Sequence, residues 1–141
     1  MGHLKDSIYY RNAIQVKEYP FATYYLFDTF IVSEINEGIS FTWDNHAKKV
    51  VKEFGELYEQ KGKDMVLVSN RVYSFSVRPI DWFKFFGDNY SLKGYAIVSY
   101  TKQSLATVLI EKLFVRTSFR NFDNIDDAII WAKSLNEKNK E

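Results

Sequence analysis

The sequence contains no cysteine and only two histidines, His3 and His46, in 141 residues. Without cysteine, the chain forms no disulfide and offers neither a thiolate nucleophile nor a thiolate metal ligand. His3 lies close to the start and His46 in the polar part of a predicted helix, so a histidine-centred metal or acid–base site would have to recruit carboxylates from distant segments. We therefore expect no metal ion and no other cofactor.

The sequence also lacks a charge excess and a long apolar run. Its 19 basic and 18 acidic residues give a formal net charge of +1, which provides no general attraction to nucleic acids or to anionic membranes. No stretch is long enough to span a bilayer, and residues 1–6 contain no apolar run of signal-peptide length. These absences predict a soluble cytoplasmic protein that does not bind nucleic acid.

Aromatic residues, by contrast, are abundant. They make up 18% of the chain, with 12 Phe, 10 Tyr and 3 Trp, so large rings must fill much of the core. The length suits one domain. We expect this domain to span residues 22–137, after an extension over residues 1–21 that includes an edge strand at 14–17 and before a frayed tail over residues 138–141.

The order of the apolar patterns predicts the fold class. Short alternating or continuous apolar runs, typical of β-strands, occur at residues 14–17, 23–27, 30–35, 65–68, 95–100 and 117–120. Apolar residues spaced three and four apart, typical of helices, occur at residues 42–61, 79–87, 102–114 and 122–132. The sequence therefore predicts an α/β (α+β) fold with a single mixed β-sheet, in which an N-terminal antiparallel hairpin precedes alternating helices and strands, with about four helices.

The same spacing predicts how the helices begin, end and pack. In the helix over 42–61, Thr42 is expected to cap the start, and Gly62 to supply the left-handed residue that ends it. Pro79 is expected to begin the next helix. Its buried side is assigned to Ile80, Phe83 and Phe86. The third helix is predicted from Leu105, Ala106, Leu109, Ile110, Leu113 and Phe114, which recur at helical spacing.

The helix after Pro79 carries more rings than one face can hold. Consecutive helical residues lie about 100° apart around the axis, so Trp82, Phe83, Phe85 and Phe86 cannot all point inward. At least one ring is exposed or covered by a partner, which favours a protein interface or a homodimer. The alternative is that the N-terminal segment folds over these rings.

Polar residues gather in the segment 69–79, between a predicted strand and the helix at Pro79. In sheets with crossover helices, ligands bind outside the carboxyl ends of parallel strands, where this segment is expected to lie. Arg71 and Arg78 are suited to clamp a carboxylate or phosphate that nearby hydroxyls orient. The alternative is a turn in which Asn70 satisfies backbone groups and Arg71 pairs with a neighbouring carboxylate. The candidate binding residues are Ser69, Asn70, Arg71, Tyr73, Ser74, Arg78 and Trp82.

The sequence offers little to support catalysis. A serine nucleophile needs a general base, and neither histidine lies in a suitable context. A glycine-rich phosphate loop is absent. Asp126 and Asp127 are adjacent carboxylates, but they fall in the first turn of a predicted helix, where the helix dipole explains them. We therefore expect a protein that is not an enzyme.

Four parts of the sequence together resemble a known superfamily. They are the hairpin that leads into Ile31, the amphipathic helix after it, the covered strand at 65–68, and the ending from Phe122 to Trp131, in which an acidic turn precedes Ala-x-x-Trp. In this combination the chain resembles the SpoIIAA-like superfamily, which includes STAS domains, bacterial anti-sigma-factor antagonists and lipid-binding SEC14 domains. The likeness covers residues 22–137, and the turn at 70–74 is similar to that of small bacterial members.

The resemblance implies docking onto a partner rather than turnover of a substrate. In phospho-switched members, a serine in an Asp-Ser context is phosphorylated at the start of the helix that follows the central strand. Here no Asp precedes Ser69, and the next helix begins only at Pro79, which argues against such a switch. Ser69, Ser74 and Ser76 are the positions at which phosphorylation is to be tested.

Two functional hypotheses result from these observations. The first is a non-catalytic STAS-like regulatory or protein-interaction module, which docks a bacterial regulatory protein, or a second copy of itself, through residues 69–79 and the helix after them. The alternative is SEC14-like binding of a lipid or other small hydrophobic ligand in an aromatic-lined cavity.

Overall fold

A six-stranded sheet organises residues 2–138, the part of the chain that the computed structural model describes. The strands of this sheet are β1 (Gln15–Tyr19), β2 (Ala22–Leu26), β3 (Phe30–Ile35), β5 (Val66–Arg71), β7 (Gly94–Ser99) and β8 (Ser118–Phe122). They lie side by side in that order. A separate parallel pair, which the sequence patterns did not predict, consists of β4 (Ser40–Phe41) and β6 (Ser76–Val77).

The sheet changes from antiparallel to parallel in its middle. β1, β2 and β3 pair antiparallel through short turns, whereas β3, β5, β7 and β8 are parallel neighbours. Each parallel connection carries a helix, because parallel strands need a crossover. The predicted fold class is therefore confirmed, with a mixed sheet, an antiparallel N-terminal part and four α-helices.

The helices are α1 (Lys48–Tyr58), α2 (Trp82–Gly87), α3 (Lys102–Glu111) and α4 (Ile125–Lys138). A π-helical turn over Trp43–Ala47 precedes α1, and the Thr42 hydroxyl caps it by accepting from the Asn45 N–H at 3.1 Å. The end of α1 was predicted wrongly. Glu59, with a φ of 56°, is the left-handed residue at this end, and Gly62 lies beyond it in a turn.

The segment after residue 68 was also predicted wrongly as a loop. Ser69, Asn70 and Arg71 continue β5 and pair with Ile97, Val98 and Ser99 of β7. Polar side chains are rare inside a covered strand, so the apolar pattern of the sequence predicted that this strand ends at Val68. They are tolerated here because each finds a buried hydrogen-bond partner.

The sheet has helices on both faces. α4 packs on one face against Val66, Val68, Ala96 and Val98. On the opposite face, α1 contributes Val50 and Phe54, and α3 contributes Val108, which packs near Tyr95 and Ile97. This division results from the alternation of side chains along β5 and β7.

The N-terminal segment (residues 2–12) closes the α4 face. Leu4 is fully buried in the same cluster as Ile129 of α4, and its N–H donates to Oε2 of Glu34 at 2.8 Å. Ser7 donates to Oδ1 of Asp126 at 2.6 Å. The segment therefore does not cover the rings of α2, which lie on the other face.

Two further expectations concern the ends of the chain and membranes. Of the tail predicted to fray, residues 139–141 lie outside the described part, and only the backbone of Lys138 is described. No helix within residues 2–138 has both the length and the apolar character needed to cross a bilayer.

Candidate functional site

The end of β5 sends its polar side chains to opposite faces of the sheet. Because successive side chains of a strand alternate, Ser69 and Arg71 face α2 and α3, and Asn70 faces the N-terminal segment. The residues that the sequence grouped into one site therefore belong to two separate clusters.

Arg71 is held by an ion pair with Glu111 of α3. Its Nη2 donates to Oε2 of Glu111 at 2.6 Å and to the Tyr95 hydroxyl at 3.2 Å, and its Nε donates to Oγ of Ser69 at 3.2 Å. The two charged side chains are 6% and 2% exposed. Burial acts to lower the pKa of Arg71, but Tyr95 and the Glu111 carboxylate more than offset it, so the pKa is raised and the guanidinium stays charged.

The Glu111 carboxylate collects donors from the sheet and two helices. Its Oε1 accepts from the Tyr95 hydroxyl at 2.7 Å and from Nε1 of Trp82 at 3.1 Å. Burial, and then the nearby Glu111 charge, raise the pKa of Tyr95, so the phenol remains a neutral donor. β5, β7, α2 and α3 are thus joined by one buried hydrogen-bond network.

This network forms one end of a cleft between the sheet and helices α1 and α2, which we call the aromatic cleft. The polar end is a cavity of about 120 Å³. An adjoining, almost entirely apolar cavity of about 130 Å³ reaches under α1. The residues that line both cavities are Tyr24, Phe41, Ala47, Leu67 and Phe85.

The polar end of the cleft retains unused hydrogen-bonding capacity. Nη1 of Arg71 has no hydrogen-bond partner among the described residues, although Arg71 lines the cavity. Ser33, Ser69 and the exposed Arg78 line the same cavity. The arrangement can therefore receive an apolar body with one small polar or anionic group.

Asn70 performs a structural task on the opposite face. Its Nδ2 donates to the Gly2 carbonyl and to Oε2 of Glu34, each at 2.9 Å, and its Oδ1 accepts from the Tyr100 hydroxyl at 2.7 Å. It is 1% exposed. Asn70 fastens the N-terminal segment to the sheet, and neither it nor Ser69, which is 5% exposed, presents a surface to a partner.

The remaining predicted site residues lie farther along the chain and nearer the surface. Tyr73 is 39% exposed and packs edge-on against the His3 ring at 5.4 Å. Ser74 is exposed, and its N–H donates to Oε1 of Glu37 at 2.9 Å. Ser76 is exposed as well. Of the three serines considered for phosphorylation, Ser69 is therefore the buried one.

The sequence patterns assigned the buried side of the helix after Pro79 incorrectly. In α2 the buried ring is Phe85, whereas Phe83 of α2 and Ile80, in the 3₁₀ turn Pro79–Asp81 before it, are 46% and 52% exposed. In α3 the inward residues are Val108 and Glu111. The apolar residues whose spacing predicted this helix are exposed, by 46% to 81%, at Leu105, Leu109, Ile110 and, in the turn after the helix, Leu113.

Glu111 and Tyr95 are the site residues that sequence reasoning missed. One signal pointed to Glu111, because it is the sole acidic residue between Ser99 and Phe122 and, with Lys112, interrupts an apolar run. Its partner Arg71 is 40 positions away, so only the rotation of α3 in the folded structure identifies the pair. Nothing in the local sequence distinguishes Tyr95 from an ordinary core ring.

Within residues 2–138, no group of three histidine or carboxylate side chains is placed to hold a metal ion. The chain matches no protein-family model, no curated protein and no solved structure.

Proposed function

We propose that the protein is a non-catalytic binding module that holds a small hydrophobic ligand in the aromatic cleft. The observation that carries this proposal is the pair of adjoining cavities between the sheet and α1 and α2. Protein interiors are ordinarily close-packed, so room of this kind in a small domain suggests a use. Ligand sites are typically apolar concavities with a few convergent polar groups.

The dimensions and lining of the cleft support an elongated or multi-ring ligand. An apolar cavity of about 150 Å³ holds one benzene molecule, and each of the two adjoining cavities is nearly that large. The apolar cavity under α1 is lined in part by Val50, Phe54 and Met65. An apolar body would lie there, with its polar group at Nη1 of Arg71.

The chemistry of the polar end supports binding over catalysis. Arg71 and Glu111 neutralise each other, and Tyr95 is a neutral donor to that same pair. A general base or nucleophile needs a reactive group that is free to reach the substrate. The groups of this network are committed to one another instead.

Filling the cleft tests the proposal. Ala47 lines both cavities, so Ala47→Leu places additional methyl groups inside. Native mass spectrometry of the freshly purified protein, before and after incubation with a mixed bacterial lipid extract, should show a discrete added mass on the wild type. We expect Ala47→Leu to reduce the bound fraction at least tenfold.

The matched control is Ala106→Leu, which makes the same change at an exposed position of α3 and should retain the added mass. Circular dichroism should show that both variants are folded. A wild-type chain that stays bare in every condition would contradict the proposal, as would equal loss of ligand from both variants.

As a second candidate, we propose the regulatory module predicted from the sequence. Its docking surface is limited to the exposed residues of 69–79 and of the helix after them. Its support is the exposure of Tyr73, Ser74 and Arg78, together with that of the Phe83 ring of α2. Affinity capture from a bacterial lysate should recover one specific partner that Tyr73→Ala and Arg78→Ala both lose. Arg71→Ala is unsuitable for this test, because it breaks a buried ion pair.

A further inference from the structure

Helix α3 and the turn after it expose an apolar stripe. Leu105, Leu109 and Leu113 lie four residues apart and are 46%, 70% and 81% exposed. The stripe faces outward because the Arg71–Glu111 pair turns the opposite side of α3 toward the sheet. Contiguous apolar surface of this kind on a small domain marks an interaction site.

Beside this stripe lies the free edge of the sheet. β8 ends the strand order, and within residues 2–138 the strand that pairs with it is β7 alone. Its five residues (Ser118–Phe122) extend for about 17 Å at the usual rise of a strand. An unprotected edge offers a row of backbone donors and acceptors to another extended chain.

The stripe and the edge border one open groove of about 480 Å³. Leu105, Val108 and Leu109 of α3 and Lys112 just after it line one side, and Phe119, Arg120 and Asn121 of β8 line the other. The groove therefore combines apolar side-chain contacts with a backbone edge. We call it the α3–β8 groove.

The charge around the groove has one sign. Between Thr101 and Phe122 the basic residues are Lys102, Lys112, Arg116 and Arg120, and the acidic residue is Glu111 alone. Glu111 is 2% exposed and paired with Arg71, so it does not offset the basic rim. The chain as a whole has a net charge of only +1, which makes the groove a local positive site that favours an acidic occupant.

We propose that the α3–β8 groove binds an extended acidic segment of a partner protein, which adds a strand to β8. Backbone hydrogen bonds to β8 hold the segment, and its alternate apolar side chains rest on Leu105 and Leu109. Its acidic side chains alternate with these and lie on the opposite face of the added strand, where the Arg120 guanidinium lies over the Phe122 ring.

A second copy of this chain fits the groove less well. Arg120 is the central residue of β8, so a two-fold antiparallel pairing of two β8 strands places one Arg120 opposite the other. Like charges directly opposite each other destabilise a strand pair. A membrane surface would satisfy the stripe and the basic rim but would leave the backbone edge unpaired.

Selection from a random 12-residue peptide library displayed on phage tests the proposal on the full chain. We expect the selected peptides to alternate apolar and acidic residues. Fluorescence polarisation with a synthetic copy of the most frequent peptide should show affinity at least tenfold weaker for Leu109→Ser and for the combined Lys112→Glu, Arg120→Glu variant. Ile130→Ser on α4, which changes a residue that is 53% exposed, should bind like the wild type.

N-methylation of the peptide backbone separates strand addition from simple apolar contact. Methyl groups on alternate amides should abolish binding in one register and leave it intact in the other, because only one set of N–H groups faces β8. Four outcomes overturn the proposal: no selected peptide that is sensitive to Leu109→Ser, equal effects of the two methylated registers, Leu109-dependent binding to phosphatidylglycerol vesicles without peptide binding, or a solution dimer that Leu109→Ser dissociates.

Discussion

At the scale of single residues, Arg71 and Glu111 matter most, because each is buried and within residues 2–138 neither has another charged partner. A buried ion pair contributes little net stability compared with an apolar pair of the same volume. Removing one member is different, since the other charge is then left in a low-dielectric interior without compensation. The pair therefore specifies how α3 sits on the sheet rather than adding much to the free energy of folding.

This view predicts strongly non-additive substitutions. Arg71→Met and Glu111→Leu should each lower the free energy of unfolding by about 3–5 kcal/mol, because each leaves the other charge buried without a partner. The double variant should lose much less than the sum of the two. Urea unfolding followed by tryptophan fluorescence measures all three values.

The control for this cycle is the exposed pair of Lys84 and Asp44, whose Nζ and Oδ2 are 3.3 Å apart. Asp44→Asn should change the free energy of unfolding by less than about 1 kcal/mol. Additive losses in the Arg71 and Glu111 cycle would show that the two charges do not compensate each other.

The sequence anticipated part of this chemistry. It gave two alternatives for Arg71, an anion clamp or a pair with a carboxylate, and the second is what the structure contains. Which carboxylate serves could not be predicted, because 18 acidic residues were available and the choice depends on the rotation of α3. The prediction for Asn70 as part of an exposed turn failed because its partners, Gly2 and Glu34, come from distant segments.

At the scale of elements, the end of α1 shows how tertiary position overrides a local signal. Glu59 adopts the left-handed conformation that glycine favours, with a φ of 56°. Gly62 is needed three residues later, where its φ is 98° and a Cβ atom would lie 1.9 Å from the Ser91 carbonyl oxygen. The glycine is therefore placed where no other residue fits, and the end of the helix retains some strain.

Relieving that strain should stabilise the protein. Glu59→Gly is expected to raise the free energy of unfolding by about 0.5 kcal/mol, because glycine adopts a positive φ without steric cost. Glu56→Gly makes the same change at an exposed position within α1 and should lower it by about 1 kcal/mol. Chemical denaturation compares the two variants, and a loss of similar size in both would contradict the assignment of Glu59 as a strained residue.

Elements were predicted well where their signals are local. The antiparallel hairpin, α1 and α4 were recognised from apolar spacing within single segments. The inward side of α3 could not be assigned from the sequence, because several apolar residues around its circumference fitted more than one rotation of the helix. The pair β4 and β6 has only two residues per strand, which is too short for a periodic pattern to reveal.

At the scale of the whole molecule, the packing of rings gives the protein an alkaline limit of stability. Burial is the largest cause that raises the pKa of six tyrosines above the ordinary value: Tyr19, Tyr24, Tyr25, Tyr58, Tyr95 and Tyr100. In the unfolded chain these hydroxyls ionise near a pKa of about 10.

The direction of the resulting pH dependence follows from proton linkage. Below about pH 10 both states keep these protons, so the full stability is present. Above that pH the unfolded state releases protons that the folded state retains, and stability falls as the pH rises. Denaturant midpoints measured between pH 9 and about 11.5 should decline, and absorbance at about 295 nm should show a subset of the 10 tyrosines ionising only on unfolding. A single ordinary titration of all tyrosines in the native protein would contradict this expectation.

The sequence predicted more of the overall architecture than of the candidate site. The succession of strands and crossover helices restricts the topology strongly, and the observed sheet agrees with it. The aromatic cleft could not be predicted, since a cavity depends on how well neighbouring side chains fill space across the two layers. The closure of the α4 face by Leu4 could not be predicted either, because that contact joins residues that are far apart in the sequence.

The closure by the N-terminal segment has a consequence for biosynthesis. Ser7 and its partner Asp126 are 119 positions apart, so this contact cannot form until the ribosome has also released residue 126. Until then, the hydrophobic face that Leu4 and α4 cover stays open on the nascent chain. The segment would then dock last, after the hairpin and the parallel strands have assembled, because distant contacts carry the greatest loop-closure entropy.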